Sequence, residues 1–172
     1  MNKRLVELAR MAQRRDRAAP PVVVLQGMPG TGKTFAARAV MRWARRTSPA
    51  MFPAYIQSFR VGDRENSMLA LFADEASYDE RGDTARKRIG NMIDADLLII
   101  DDLGNERNPP ATFEAGLASL LDQRKEKKRP TWIITNETRD DLLGKYGARN
   151  FSRIVNAAEV VKITGRDRRL HV

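Results

Sequence analysis

No stretch constrains this chain more than Val22-Val23-Val24-Leu25, because of the loop and helix it leads into. A run of apolar residues, mostly β-branched, offers no polar face to solvent and reads as a short strand buried on both sides. The chain then passes through Gly27-Met28-Pro29-Gly30-Thr31-Gly32-Lys33-Thr34 into a helical pattern from Lys33 to about Arg46, which Ser48-Pro49 breaks. Every fixed position of G-x-x-x-x-G-K-[ST] is met, between a strand and a helix as the motif demands. Glycines let successive backbone N–H groups converge on the β- and γ-phosphates of a nucleoside triphosphate. The helix adds its positive N-terminal end, Lys33 a point charge, and the Thr34 hydroxyl a ligand for Mg²⁺. The binding residues expected from this loop are Met28, Pro29, Gly30, Thr31, Gly32, Lys33, Thr34 and Phe35.

The rest of the chain alternates in the same way. Residues 2–17 form a basic helical pattern with one apolar face, stopped by Ala18-Ala19-Pro20-Pro21. Strands are expected at Ala54–Phe59, Asp96–Asp101, Thr131–Thr135 and Glu159–Ile163. Between them lie a charged helical region, Asp63–Ile93, with a break near Tyr78–Asp83, and a helix opened by Pro109-Pro110. Two short helices, Thr138–Leu143 and Ala148–Ala157, precede the last strand. Buried strands alternating with helices imply an α/β fold with a parallel sheet covered on both faces. At 172 residues the chain fits one such domain, read here as a basic helix and linker, 1–19, followed by the domain proper, 20–172.

No run approaches the ~18 apolar residues of a membrane span, and the basic N-terminus lacks the apolar core of a secretory signal. There is no cysteine, which excludes disulfides and thiolate metal sites. A cytoplasmic location is the expectation. The net charge of +9 points to a polyanionic partner without saying whether it is DNA, RNA or an acidic protein.

Three more elements carry chemistry. The strand Leu97-Leu98-Ile99-Ile100 ends in Asp101-Asp102, where open α/β sheets bind ligands. Asp101 is placed to share the Mg²⁺ shell with Thr34, and Asp102 to orient and deprotonate an attacking water. Asn136 follows the strand Trp132–Ile134; if that strand lies between the other two, it faces the γ-phosphate. Arg149 and Arg153 flank a short helix after Tyr146-Gly147, and Arg168-Arg169 follow the last strand. A guanidinium supplied by a neighbouring subunit accelerates phosphoryl transfer by roughly 10³–10⁵ in related systems.

In this order, these elements resemble the AAA+ ATPases of the bacterial helicase-loader and insertion-sequence helper group (DnaC, DnaI and IstB). The likeness spans about residues 20–170. It is sharpest in Leu97-Leu98-Ile99-Ile100-Asp101-Asp102-Leu103-Gly104 and from Leu121-Asp122-Gln123-Arg124 to the tail Lys145-Tyr146-Gly147-Ala148-Arg149-Asn150-Phe151-Ser152-Arg153-Ile154. The resemblance implies a three-layer αβα domain with strand order 5-1-4-3-2, ATP and Mg²⁺ as ligands, and assembly with ATP into a ring or spiral. It implies that Asn136 senses the γ-phosphate, that Arg153 is the trans-acting finger with Arg149 second, and that Arg169, or its neighbour Arg168, acts as a second sensor. The catalytic set is then Lys33, Asp101, Asp102, Asn136, Arg153 and Arg169, with Thr34 and Asp101 as metal ligands. Asp102 stands where many AAA+ proteins have glutamate, a pairing that recurs in this group; being shorter, it implies slow hydrolysis. Nine residues follow Ile163, implying a minimal C-terminal lid or none.

The function so implied is an ATPase that loads or remodels a DnaB-like replicative helicase on single-stranded DNA. Two alternatives stand beside it: an IstB-like transposition helper on double-stranded DNA, and a small-molecule P-loop kinase. Loaders carry a helicase-docking domain ahead of the ATPase, and here about twenty residues precede the first strand. Either the chain is an ATPase fragment or a minimal version, or the helix at 2–17 does the docking. By the same analogy Arg60–Arg64 and Arg81–Arg88 are candidate DNA contacts, ahead of Lys125, Lys127 and Lys128. Phe59 and Tyr78 are base-stacking candidates, with core packing the preferred role for Phe59.

Overall fold

A computed structural model describes residues 3–59, 67–106, 109–155 and 158–165. Five parallel strands form one sheet: β1 (Val22–Gln26), β2 (Pro53–Gln57), β3 (Leu97–Asp101), β4 (Thr131–Thr135) and β5 (Ala158–Lys162). Their order across the sheet is β2-β3-β4-β1-β5, which is the expected 5-1-4-3-2 read from the other edge. Because side chains alternate along a strand, β1, β3 and β4 feed both faces from continuous apolar runs. Val22, Val24, Leu98, Ile100 and Ile133 enter one core, Val23, Leu25, Leu97, Ile99, Trp132 and Ile134 the other.

The first core is covered by α3 (Met68–Asp74), α4 (Glu80–Asp94), α5 (Ala111–Glu126) and α6 (Arg139–Val155). The second is covered by α1 (Lys3–Gln13) and α2 (Lys33–Thr47). The result is an αβα sandwich. The break expected near Tyr78 is the α3–α4 connection, and Asp79 caps α4 by accepting from the N–H groups of Arg81 and Gly82. The two short helices expected after β4 share the span Arg139–Val155 and are separated at Gly147, whose non-helical backbone (φ 68°, ψ 164°) glycine adopts without strain.

Two expectations change. The first helix stops at Gln13, ahead of the Ala-Pro segment. Its last turn closes through Arg15 in the left-handed region (φ 51°), with the Asp16 N–H bonding the Met11 carbonyl at 2.9 Å. Leu5, Leu8, Ala9 and Ala12 of α1 are all buried, at the i, i+3, i+4, i+7 spacing of one helix face. Arg4 grips Glu159 with two hydrogen bonds, at 2.5 and 2.6 Å, fastening α1 to the edge strand. The apolar face of α1 is therefore spent on the domain's own core. Phe59 is exposed, not packed inside, because β2 ends at Gln57 and the buried residue beyond it is Ser58.

Candidate nucleotide site

The sheet opens at the carboxyl ends of β1, β3 and β4 into a cleft of about 900 Å³. Its floor is the Gly27–Thr34 loop. Gly27 leaves β1 where the Ile163 carbonyl oxygen comes so close that a Cβ would lie 2.2 Å from it. The Ile163 N–H, donating to Gln26 at 2.7 Å, enforces that approach. Gly30 (φ 76°) and Gly32 (φ 91°) turn the chain through the left-handed region. Gly32 precedes α2 with no side-chain cap, so the first-turn N–H groups remain available to an anion.

Of the expected binding residues, Pro29, Gly30, Gly32, Lys33, Thr34 and Phe35 line the cleft. Thr31 is buried beneath the loop, its hydroxyl donating to the Met28 carbonyl at 2.8 Å, and Met28 is exposed. Lys33 is 6% exposed. Its Nζ donates to the carbonyls of Gly27 (2.6 Å) and Met28 (2.8 Å) and to Asn136 Oδ1 (2.7 Å). That last bond joins α2 to the end of β4, and it exists because β4 runs between β1 and β3.

Asp101, 1% exposed, sits at the end of β3. Its Oδ1 accepts from the Thr34 hydroxyl at 3.1 Å, and its Oδ2 from the Tyr55 hydroxyl at 2.5 Å. The pair expected to hold Mg²⁺ is thus assembled. One hydroxyl and one carboxylate suit Mg²⁺, which keeps several waters and takes its other ligands from phosphate. Burial, together with donation to Asp101, pushes the Tyr55 phenol well above its usual range, so it stays a donor. Asp102 follows in the left-handed region (φ 57°) and lines the cleft with Asn105 and Asn136.

Sequence reasoning missed several participants. Arg38 and Arg42, one and two turns beyond Thr34 on α2, line the cleft. Arg38 also donates to the Tyr55 hydroxyl at 3.0 Å and lies 4.8 Å over its ring. The helical spacing of these arginines from Thr34 was the available signal; nothing marked Tyr55, whose role depends on pairing between β2 and β3. Glu106, 1% exposed, accepts from the Ser58 hydroxyl (2.6 Å), the Gly104 N–H (3.1 Å) and the Tyr146 hydroxyl. With Lys145 Nζ donating to the Gly104 carbonyl, it pins the loop after Asp102 to β2 and α6.

Arg153 is not in the cleft of its own chain. It donates to Asp122 of α5 at 2.7 Å and to the Arg149 carbonyl at 3.2 Å, while the Arg149 side chain is exposed. Arg168 and Arg169 lie outside the described residues, as do Arg60 and Arg64. Arg86 is tied to Asp83 and to the Glu75 and Ser77 carbonyls, and Tyr78 is fully exposed. No described helix is long and apolar enough to cross a membrane.

No family model matches the chain. Among curated proteins it is similar to the replicative helicase loader DnaC of Escherichia coli K12, with 24% identity over 132 residues. That alignment covers 76% of this chain and 49% of DnaC, so the chain spans about half the length of the curated relatives it matches. Among solved structures, the DnaC helicase loader superimposes with a TM-score of 0.70 at 20% identity, over 95% of this chain and 89% of that one. DnaI gives 0.66 at 21% identity, over 95% and 83%. AMPPCP-bound DnaA from Aquifex aeolicus gives 0.73 at 16% identity, over 98% and 48%. Similar in sequence to DnaC and in fold to DnaC, DnaI and DnaA, the chain has the fold of a DnaC/DnaI-like AAA+ domain.

Proposed function

We propose that the chain binds and hydrolyses ATP with Mg²⁺, and uses that cycle to load or remodel a DnaB-like replicative helicase on single-stranded DNA. The observation that carries the hydrolytic part is the meeting of Lys33, Thr34, Asp102 and Asn136 in one cleft, with Lys33 bonded to Asn136 and Thr34 to the buried Asp101 at the end of β3. Lys33 and the first-turn N–H groups of α2 bind the phosphates. A Mg²⁺ ion held by Thr34 and Asp101 would offset charge on the phosphate oxygens. Asn136 orients a water, and Asp102 takes its proton as the water oxygen bonds to the γ-phosphorus and the bond to the ADP oxygen breaks. Arg153, or the more exposed Arg149, reaches the γ-phosphate of a neighbouring copy, and Arg169, or Arg168, senses the nucleotide in its own chain. The helicase and DNA side of the reading rests on the likeness to the loader DnaC.

The test pairs nucleotide binding with turnover. Lys33→Ala should abolish binding of a fluorescent ATP analogue, whereas Asp102→Asn should bind it and lose turnover at least tenfold. Full turnover in Asp102→Asn would remove Asp102 from the chemistry. Stimulation by single-stranded DNA and capture of a replicative helicase in ATP are expected. Stimulation by duplex DNA alone would favour the transposition-helper alternative. A rise in particle mass with ATP, lost on Arg149→Ala or Arg153→Ala, would identify the finger.

A further inference from the structure

Two basic segments that are distant in sequence meet in space. Arg14–Arg17 follows α1 and Lys125–Arg129 ends α5, and both lie where β1, β3 and β4 begin. That edge is separated from the nucleotide cleft by the length of the strands, roughly 16 Å at ~3.3 Å per residue. Asp96, just ahead of β3, joins the segments by accepting from Arg15 Nη2 at 2.9 Å and from Arg129. Arg15, Arg17, Lys125 and Lys128 line a cleft of about 260 Å³ together with Asp16, Pro20 and Pro21.

Charge at this edge is not balanced. The segments and their surroundings hold seven cations (Arg14, Arg15, Arg17, Lys125, Lys127, Lys128, Arg129) against four carboxylates (Asp16, Asp94, Glu126 and Asp96). Asp96 is taken up by Arg15 and Arg129, Asp94 by Lys127 at 2.6 Å, and Asp16 accepts from the Ala18 N–H. Arg14, Arg17, Lys125 and Lys128 are left exposed, with no carboxylate partner among the described residues.

Backbone conformation singles out the same place. Non-glycine residues with positive φ are Arg15 (51°), Asp102 (57°) and Lys128 (54°) among the described residues. Arg15 and Lys128 occupy matching positions, each just past a helix whose end is closed by a bond from the next residue's N–H, Asp16 to Met11 and Arg129 to Arg124. Glycine fills that position without strain. The chain accepts the strain twice and keeps a long cation at the mouth of one cleft. Phe52 adds an exposed aromatic. It is 54% exposed and held by Asp96 through two hydrogen bonds, its N–H to Oδ2 at 2.9 Å and its carbonyl from the Asp96 N–H at 2.8 Å.

We infer that this edge is a binding site for single-stranded nucleic acid, with Arg17, Lys125 and Lys128 on the phosphodiester backbone and Phe52 stacked on a base. Exposed cations, with an exposed ring tied to the same Asp96 that Arg15 and Arg129 hold, are what a sequence-tolerant single-strand site requires. An acidic protein partner would call for a cluster of apolar anchors, and at this edge Phe52, joined to Asp96, is a single exposed ring. The inference deepens the DNA side of the proposed function, and it stands on residues outside the nucleotide cleft.

Binding of a fluorescent oligo-dT to the full chain, followed by anisotropy over a salt series, tests it. The triple variant R17A/K125A/K128A should bind at least tenfold more weakly. The slope of log K against log salt should fall by about 2, at about 0.7 per lost phosphate contact on a single strand. Phe52→Ala should bind about tenfold more weakly with the slope unchanged. Affinity for the ATP analogue should be intact in both variants, which also reports that they fold. Lys33→Ala should keep its affinity for the oligonucleotide without nucleotide present, so that failure of the ATPase reading and failure of this site are distinguishable. Wild-type protein that ignores the oligonucleotide at low salt, a triple variant within twofold of wild type, or equal displacement by polyglutamate would each overturn the assignment.

Discussion

Glu106→Ala should be among the most damaging single substitutions outside the apolar core. The carboxyl is 1% exposed and satisfies three donors: the Ser58 hydroxyl at 2.6 Å, the Gly104 N–H at 3.1 Å and the Tyr146 hydroxyl. Ser58 is fully buried and Tyr146 is 2% exposed, so neither finds water when the carboxyl is removed. Each stranded donor costs about 1–3 kcal/mol, and partial relaxation makes the sum less than additive. The expected loss is about 3–4 kcal/mol, or about 10 °C in Tm for a domain of this size. Glu106→Gln keeps the shape and one acceptor oxygen for Ser58 and Gly104, while Tyr146 can turn to accept from the new amide; it should cost only about 1 kcal/mol. Urea unfolding gives both values, with the slope m unchanged if only the native state is affected. A double-mutant cycle with Tyr146→Phe isolates the pair. A loss below about 1 kcal/mol for Glu106→Ala, or strict additivity with Tyr146→Phe, would refute the reasoning.

Three other polar groups carry expectations of the same kind. Arg124 is fully buried and donates to Thr131 Oγ1 and to the carbonyls of Met92, Ile93, Ala95 and Pro130, closing the end of α4. Arg124→Met should cost about 3–4 kcal/mol in urea unfolding and Arg124→Lys recover less than half; a neutral Met variant contradicts this. Burial opposes ionisation of Asp96, but the Phe52 N–H, Arg15 and Arg129 outweigh it and hold its carboxyl below the usual range. A depressed folded pKa contributes stability above the unfolded value near 3.9, and that stability is lost as pH falls through the folded value. Asp96→Asn should therefore destabilise at neutral pH and become nearly silent once the pH has fallen below the folded value; a penalty independent of pH excludes the mechanism. Tyr55→Phe removes one donor from Asp101 and should raise the Mg²⁺ concentration needed for binding of the ATP analogue up to about tenfold. Binding without Mg²⁺ should not change, and an unaltered Mg²⁺ requirement would exclude Tyr55 from positioning Asp101.

Elements set by short-range chemistry were legible in the residues. Thr131–Thr135 is a strand with the expected bounds, because an apolar run between Pro130 and Asn136 has few alternatives. The loop at Gly27–Thr34 is legible for the same reason: its glycines, lysine and threonine act within eight residues. Helix ends were less legible. α1 ends four residues earlier than the pattern suggests, because Arg15 turns into the left-handed region and its side chain pairs with Asp96, 81 residues away, which no local signal reports.

The contacts that stayed hidden are polar and long-range. Glu106 meets Ser58 and Tyr146 across 48 and 40 residues, Tyr55 meets Asp101 across 46, and Arg15 meets Asp96 across 81. None of these contacts has a sequence period, since each depends on which strands become neighbours. Asn136 shows how the two kinds of information combine. An Asn after a strand is ordinarily a turn residue. It becomes a partner of Lys33, 103 residues away, only because β4 is inserted between β1 and β3. The order of the strands converts an ordinary side chain into part of the site. It likewise carries Arg129, two residues before β4, to the Asp96 that opens β3 at the opposite edge. One feature of topology, the central place of β4, therefore assembles both the phosphate end of the sheet and the cationic end.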